Sequence, residues 1–62
     1  MYHIKEYRQD MKLSQEELAA KAGVSRATIS GLESGNITVT TTETLIKIAN
    51  ALEKKVSDIF LP

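Results

Sequence analysis

Few side chains in this sequence are suited to catalysis. There is no cysteine, and nothing in the sequence indicates a carboxylate or nucleophile partner for the single histidine, His3. Glu16 and Glu17 are adjacent, so on a helix their carboxylates point to different sides and do not form an acid–base pair. No glycine-rich phosphate loop is present; the three glycines are Gly23, Gly31 and Gly35. The sequence therefore indicates no enzyme, no cofactor and no metal site.

The elements that could position functional side chains centre on a segment of about residues 14–35. Ser14 and Glu17 have the spacing of a capping box, in which each side chain bonds a free backbone N–H of the other's segment. Leu18 and Ala22 then fall on one helical face. These features predict a short helix that begins beside Ser14.

A second short helix is predicted directly after the first. Gly23 can end the first helix in the left-handed conformation, and Ser25 can cap the next helix. Ile29 and Leu32, three residues apart, form its inner face, and Gly35 ends it. The segment therefore predicts two helices joined by a tight turn.

Helical periodicity continues on both sides of this pair. Residues 2–12 are predicted as a first helix whose buried stripe includes Arg8, a position that requires a partner because an unpaired buried charge is costly. Residues 36–42 are rich in threonine and predict a loop. Thr40 and Glu43 repeat the capping-box spacing, so a fourth helix should begin near Thr41. Its predicted inner stripe is Leu45, Ile48, Ala49 and Leu52.

The end of the sequence, VSDIFLP, predicts one last helical turn. Ser57 is its expected cap, and Val56 with Leu61 has the spacing of a hydrophobic staple. Ile59 and Phe60 are expected to close the core. The chain thus predicts an all-α fold, a compact bundle of five short helices that forms one domain over residues 1–62.

Charge and hydropathy limit the classes of partner. Eight Lys and Arg residues balance eight Asp and Glu residues, so we expect weak non-specific binding to polyanions. Specific DNA binding remains compatible with neutrality where hydroxyls, amides and helix N-termini contact phosphates. No segment is apolar enough to span a membrane or to serve as a signal peptide, which predicts a cytoplasmic protein without a membrane partner.

From about Ile4 to Phe60 the chain resembles the phage-repressor and Cro-like (Xre-type) helix-turn-helix family. The most specific segment is LSQEELAAKAGVSRATIS. The positions that match the family motif are Gln15, Leu18, Ala19, Gly23, Val24, Ile29, Leu32 and Glu33.

This resemblance implies a lambda-repressor-like fold and a sequence-specific regulator of transcription that binds duplex DNA. It places the recognition helix at about residues 25–34, in the major groove. It also implies a homodimer on inverted half-sites, and it makes Arg8 and Glu33 a structural ion pair, with two separate solvated charges as the alternative.

Base contacts are expected from the first turns of the recognition helix. Arg26 is the best candidate because a guanidinium can bond guanine O6 and N7 together. Ala27 could meet a thymine methyl group, Thr28 could bond a base or a phosphate, and Ser30 lies one turn further on. A plain surface position is an equal alternative for Ala27 and Thr28, and a solvated arginine at the start of a helix is the alternative for Arg26. Gly31, inside the helix, suggests close approach of DNA or of another protein chain.

Phosphate contacts are expected on both sides of that helix. Gln15 resembles the family glutamine that holds a backbone phosphate, and the sequence indicates no structural role for it as good as those of Ser25 and Ser34. The short polar residues that could reach the other strand are Ser25, Ser34, Asn36 and Thr38. For Ser25 and Ser34, helix capping and helix termination are a strong alternative that explains both residues without DNA.

Two alternatives to a self-sufficient DNA-binding regulator remain open from sequence. One is a protein-interaction module on the same fold, such as the antitoxin of a toxin–antitoxin pair. The other is a DNA-binding module that needs a partner polypeptide to sense an effector.

Overall fold

Five helices make up the part of the chain that the computed structural model describes, residues 2–37 and 40–60. They are α1 (Ile4–Asp10), α2 (Gln15–Ala22), α3 (Arg26–Ser34), α4 (Thr42–Ala51) and α5 (Val56–Ile59). Within these residues the only extended pairing is an isolated antiparallel bridge between Tyr2 and Phe60. The predicted all-α fold of five short helices is confirmed. None of the five helices has the length and apolar character that a membrane span requires.

The start of α2 is fixed by a capping box. Ser14 Oγ accepts a hydrogen bond from the backbone N–H of Glu17 at 3.0 Å, and the Ser14 N–H donates to Glu17 Oε1 at 2.8 Å. The hydrogen bonds from Ser14 hold the pKa of Glu17 below its usual value. The N-terminus of α2 is therefore set by local contacts that the sequence spacing predicts.

The turn between α2 and α3 depends on one left-handed residue. Gly23 has φ 73°, and the N–H of Val24 bonds the carbonyl of Ala19 at 3.0 Å, which closes the helix end. Ser25 Oγ then accepts from the N–H of Thr28 at 3.1 Å and begins α3. This tight connection sets α3 against α2.

A single core lies between the helices. α2 packs on both α3 and α4, α4 packs on α5, and α1 packs on α3. The largest wholly buried side chains come from all five helices or their ends: Ile4, Leu18, Ile29, Ile48, Leu52 and Ile59. One face of α3 is therefore buried in the core, and its opposite face is exposed to solvent.

Helix α1 is shorter than the predicted range of residues 2–12. It ends because Lys12 adopts φ 58°, a left-handed conformation that is uncommon for a residue with a side chain. The N–H groups of Lys12 and Leu13 bond the carbonyls of Gln9 and Arg8 at 2.9 and 3.1 Å. These two bonds satisfy the last turn and offset the strain, so a non-glycine residue ends the helix.

The predicted caps of α4 and α5 are each wrong by one or two positions. Thr41, and not Thr40, caps α4, because Thr41 Oγ1 accepts from the N–H of Thr44 at 3.1 Å. Helix α5 begins at Val56, after a bond from the Lys55 N–H to Asp58 Oδ2 at 3.0 Å. Ser57 lies inside α5 and does not cap it.

Phe60 does not close the core as predicted. Its side chain is on the surface, 42% exposed, and its ring lies 5.2 Å from that of Tyr2, centroid to centroid. Ile59 is fully buried, as expected. Ile59 is the last residue of α5, whereas Phe60 has extended dihedral angles, φ −117° and ψ 101°, so its side chain does not continue the helical face that buries Ile59. The predicted contact of Val56 with Leu61 lies outside the described residues.

Gly31 is covered by the chain itself and not by a ligand. The Ile37 N–H bonds the Gly31 carbonyl at 2.9 Å, and a Cβ at residue 31 would overlap the Cδ1 and Cγ1 atoms of Ile37. Gly31 is buried. The expectation that DNA or another protein chain approaches Gly31 is therefore wrong: the loop after α3 folds back onto it.

We expect Gly31→Ala to lower the free energy of unfolding by about 1 kcal/mol, because overpacking outweighs the better helix propensity of alanine. In an Ile37→Gly background the overlapping side chain is absent, including its Cβ at 3.2 Å, and the same change should stabilise the protein by about 0.5–1 kcal/mol. Denaturant unfolding of the four proteins measures both effects. An effect of the same sign in both backgrounds would contradict the assigned contact.

Candidate nucleic-acid interface

The exposed face of α3 carries the residues predicted to contact bases. Arg26 and Ala27 are exposed in the first turn, and Thr28 and Ser30 are half-buried. Among the described residues Arg26 forms no ion pair and no side-chain hydrogen bond. Its guanidinium keeps all five donors free for a ligand.

Ser25 and Thr28 form a small hydroxyl pair at the start of α3. Their side-chain oxygens lie 2.8 Å apart, and Ser25 Oγ also caps the helix. Capping accounts for the position of Ser25 without any ligand. Both hydroxyls still have bonding capacity toward solvent, since a hydroxyl can donate once and accept twice.

Arg8 and Glu33 are brought together by the packing of α1 on α3. Arg8 Nε donates to Glu33 Oε2 at 2.7 Å, and Arg8 Nη2 donates to Glu33 Oε1 at 3.0 Å. The side chains are only 11% and 4% exposed. These hydrogen bonds raise the pKa of Arg8, so the guanidinium stays charged at any physiological pH.

The same guanidinium reaches a third element. Arg8 Nη1 donates to the carbonyl oxygen of Leu13 at 2.7 Å, in the segment that leads into α2. All donors of a buried arginine need acceptors, and this bond uses one that the carboxylate cannot reach. Arg8 therefore holds the entry to α2 in place next to α3.

Gln15 does have a structural contact, contrary to the interpretation from sequence. Its Nε2 donates to Glu33 Oε1 at 3.2 Å. Gln15 is half-buried at the first position of α2. The spacing of residues along the chain could not reveal this bond, because it joins two helices across 18 residues of sequence.

A polar cleft of about 240 Å³ lies where α1, α2 and α3 meet. It brings together three of the predicted contact residues, namely Gln15, Ser30 and Ser34. Its remaining lining residues are Lys5, Arg8 and Glu33. The cleft is large enough for a phosphate group, and apart from the Glu33 carboxylate its lining side chains can donate hydrogen bonds.

Lys5 is a cleft residue that the sequence analysis missed. Its ammonium forms no salt bridge among the residues that the structure describes, so it adds a free positive charge beside the Arg8–Glu33 pair. The sequence feature that could have identified Lys5 is its position three residues before Arg8, since residues at this spacing share a helix face. An exposed lysine on a helix is otherwise too common to stand out.

The remaining predicted phosphate contacts lie at the end of α3. Ser34 Oγ donates to the Gly31 carbonyl at 3.3 Å and accepts from the Asn36 N–H at 3.4 Å. Both residues are exposed, but these bonds give Ser34 a role in ending the helix. Thr38 lies outside the described residues, so its predicted contact stays a prediction.

A family model and several known proteins match most of this chain. A family model described as helix-turn-helix matches residues 4–59. An uncharacterized HTH-type transcriptional regulator of Archaeoglobus fulgidus is 41% identical over 58 residues, which cover 94% of this chain and 80% of that protein.

Two solved structures of SinR, a protein of Bacillus subtilis, are also similar. The first is SinR, the master regulator for biofilm formation, in complex with DNA: the TM-score is 0.83 and the identity 36%, over 86% of this chain and 84% of that one. The second is the SinR–SinI protein complex, with a TM-score of 0.85 and 34% identity over 89% of this chain and 53% of that one. Nothing in these comparisons favours the antitoxin alternative.

The family match spans the five helices, the relative from A. fulgidus matches almost the whole chain, and both confirm the resemblance inferred from the motif. The chain therefore belongs to the Xre/Cro-like helix-turn-helix family of DNA-binding transcriptional regulators.

Proposed function

We propose that this chain regulates transcription by binding specific duplex DNA sequences, with α3 in the major groove. The observation that carries the proposal is the two-sided character of α3. Ile29 and Leu32 are buried on one side, and Arg26 and Ala27 are exposed in the first turn, where this fold faces the base edges.

Arg26 is the residue that we propose reads a base. Its guanidinium is free and can bond guanine O6 and N7 at the same time. A positive charge at a helix N-terminus opposes the helix dipole, and the negative potential of DNA would offset that small cost. Ala27, Thr28 and Ser30 are proposed as further contacts in the groove.

Phosphate contacts are proposed around the cleft and at both ends of α3. Gln15 and Lys5 would bind the strand that passes α1 and α2. Ser25, Ser34 and Asn36 are exposed and would supply hydroxyl and amide contacts. Phosphate contacts fix the orientation of a protein on DNA. Because the net charge of this chain is zero, uncharged donors are needed to supply part of these contacts.

A homodimer on an inverted-repeat operator remains part of the proposal. A single domain with few cations gains affinity when two copies bind two half-sites together. The exposed large apolar side chains of the described residues are Ile46 on α4 and Phe60 after α5, and either could contribute to a dimer surface.

A protein partner of a different sequence is a further part of the proposal, and the solved SinR–SinI complex supports it. A cytoplasmic location and the absence of catalysis fit a regulator of this family.

Selection of bound sequences from random duplexes at low salt tests the function. We expect enrichment of one site, roughly palindromic, that contains a guanine opposite Arg26. A palindrome with a fixed spacing would support the homodimer, whereas an enriched single half-site would support a monomer. Absence of any enrichment would overturn sequence-specific binding.

A further inference from the structure

We propose that Glu33 is a positioning residue for DNA binding: its carboxylate orients the Gln15 amide toward a DNA phosphate, and Arg8 cancels the charge that would otherwise repel that phosphate. This inference rests on the proposed function. It goes beyond that function because it assigns the Arg8–Glu33 pair a part in binding as well as in folding.

The orientation of the Gln15 amide follows from the chemistry of its neighbour. An ionised carboxylate only accepts hydrogen bonds, so the amide must turn its NH₂ group, and not its oxygen, toward Glu33. The Gln15 Nε2 lies 3.2 Å from Glu33 Oε1. One N–H of the amide is used in this bond, and the second N–H remains available for a phosphate oxygen in the cleft.

Fixing the amide in advance strengthens binding. A free glutamine side chain has several rotatable bonds, and ordering it on a ligand costs conformational entropy. Gln15 is already half-buried and bonded in the free protein. Its amide is therefore set before DNA arrives.

A carboxylate beside a phosphate site would normally weaken binding. Here Arg8 bonds both oxygens of Glu33, at 2.7 and 3.0 Å, so the pair presents little net charge. The third bond of Arg8, to the Leu13 carbonyl, holds the start of α2 at the same place. Glu33 can thus act as an acceptor for Gln15 without acting as a repelling charge.

Removing one partner alone would confuse positioning with unfolding, because it leaves a buried unpaired charge. Replacing both partners by apolar residues of similar size, in Arg8→Met with Glu33→Met, avoids this problem, since buried ion pairs can be exchanged for apolar packing with little loss of stability. This double variant should fold and yet lack the acceptor for Gln15.

The test measures DNA affinity for the selected site with and without Gln15→Ala in both backgrounds. In the native background we expect Gln15→Ala to weaken binding about tenfold, as for loss of a hydrogen bond to a charged group. In the background of the double variant we expect a loss of less than about twofold. Arg26→Ala, the matched control, should weaken binding by the same factor in both backgrounds.

Equal effects of Gln15→Ala in the two backgrounds would overturn the positioning role and leave the proposed function intact. Failure of the native protein to bind any duplex would overturn both. A second measurement needs no DNA and covers poor folding of the double variant: hydrogen exchange of the Gln15 side-chain amide in the native protein. We expect one of its two hydrogens to exchange more slowly than in free glutamine, and the free rate for both would also overturn the proposal.

Discussion

Glu33→Ala is expected to lower the free energy of unfolding by about 3–5 kcal/mol, because it leaves the Arg8 guanidinium, on a side chain that is only 11% exposed, without its carboxylate. The variant also deprives Gln15 of an acceptor. Small domains have a total stability of about 5 kcal/mol or somewhat more, and a chain of this length buries only a modest core. We therefore expect a substantial unfolded fraction at room temperature, which denaturant titration followed by circular dichroism would measure.

The Arg8–Glu33 effect is distinguished from a general charge effect by two controls. Lys47→Ala removes a partner of the exposed Lys47–Glu43 pair, 3.4 Å apart, and should change stability by less than about 0.5 kcal/mol. A double-mutant cycle between Arg8→Ala and Glu33→Ala should reveal strong coupling, because either change alone already breaks the pair. Zero coupling would refute the ion pair as a stabilising contact.

Arg26→Ala is expected to produce the largest loss of specific DNA binding. If the guanidinium bonds a guanine through two hydrogen bonds, its removal costs about 1–3 kcal/mol, which lowers affinity for the selected site about 5- to 150-fold. The preference for guanine at that position should weaken as well. Titration of labelled duplexes that differ only at this base pair measures both quantities. Folding stability should change little, because Arg26 is exposed and its side chain forms no ion pair or hydrogen bond within residues 2–37 and 40–60.

Two variants separate base reading from charge. Arg26→Lys keeps the positive charge but lacks the planar two-donor geometry, so it should retain salt-dependent affinity and lose most of the guanine preference. Lys47→Ala removes one positive charge from α4, which packs on α2 and α5, and should leave the guanine preference unchanged. An Arg26→Ala protein with unaltered base preference would place Arg26 on a phosphate or in solvent.

Local features of this protein were predictable because they depend on residues close together in sequence. The capping box of Ser14 with Glu17 and the left-handed turn at Gly23 use spacings of a few residues, and both are present. The left-handed helix end at Lys12 was missed, since non-glycine residues in this conformation carry no reliable local signal. The stripe of apolar residues on each helix identified most of the core for the same local reason.

Identifying the partners of the polar side chains required both the sequence and the tertiary structure. The need of Arg8 for a partner follows from its place on an apolar stripe, and the family resemblance named Glu33. Only the packing of α1 against α3 brought the two side chains within 3.0 Å, and only the meeting of three helices added Gln15 and Lys5 to the same cleft. Contacts of this kind join residues distant in sequence, so no spacing rule encodes them.

The sequence by itself determined the number and order of the helices, the caps of α2 and α3 at Ser14 and Ser25, and the family to which the motif belongs, because each rests on local spacing or on ordered residue types. The tertiary structure alone decided which positions solvent or DNA can reach. It buried Gly31 under Ile37, turned Phe60 outward and tied Gln15 to Glu33. These outcomes depend on how a loop and separate helices meet in space, and that geometry is set by the whole core and not by any one segment.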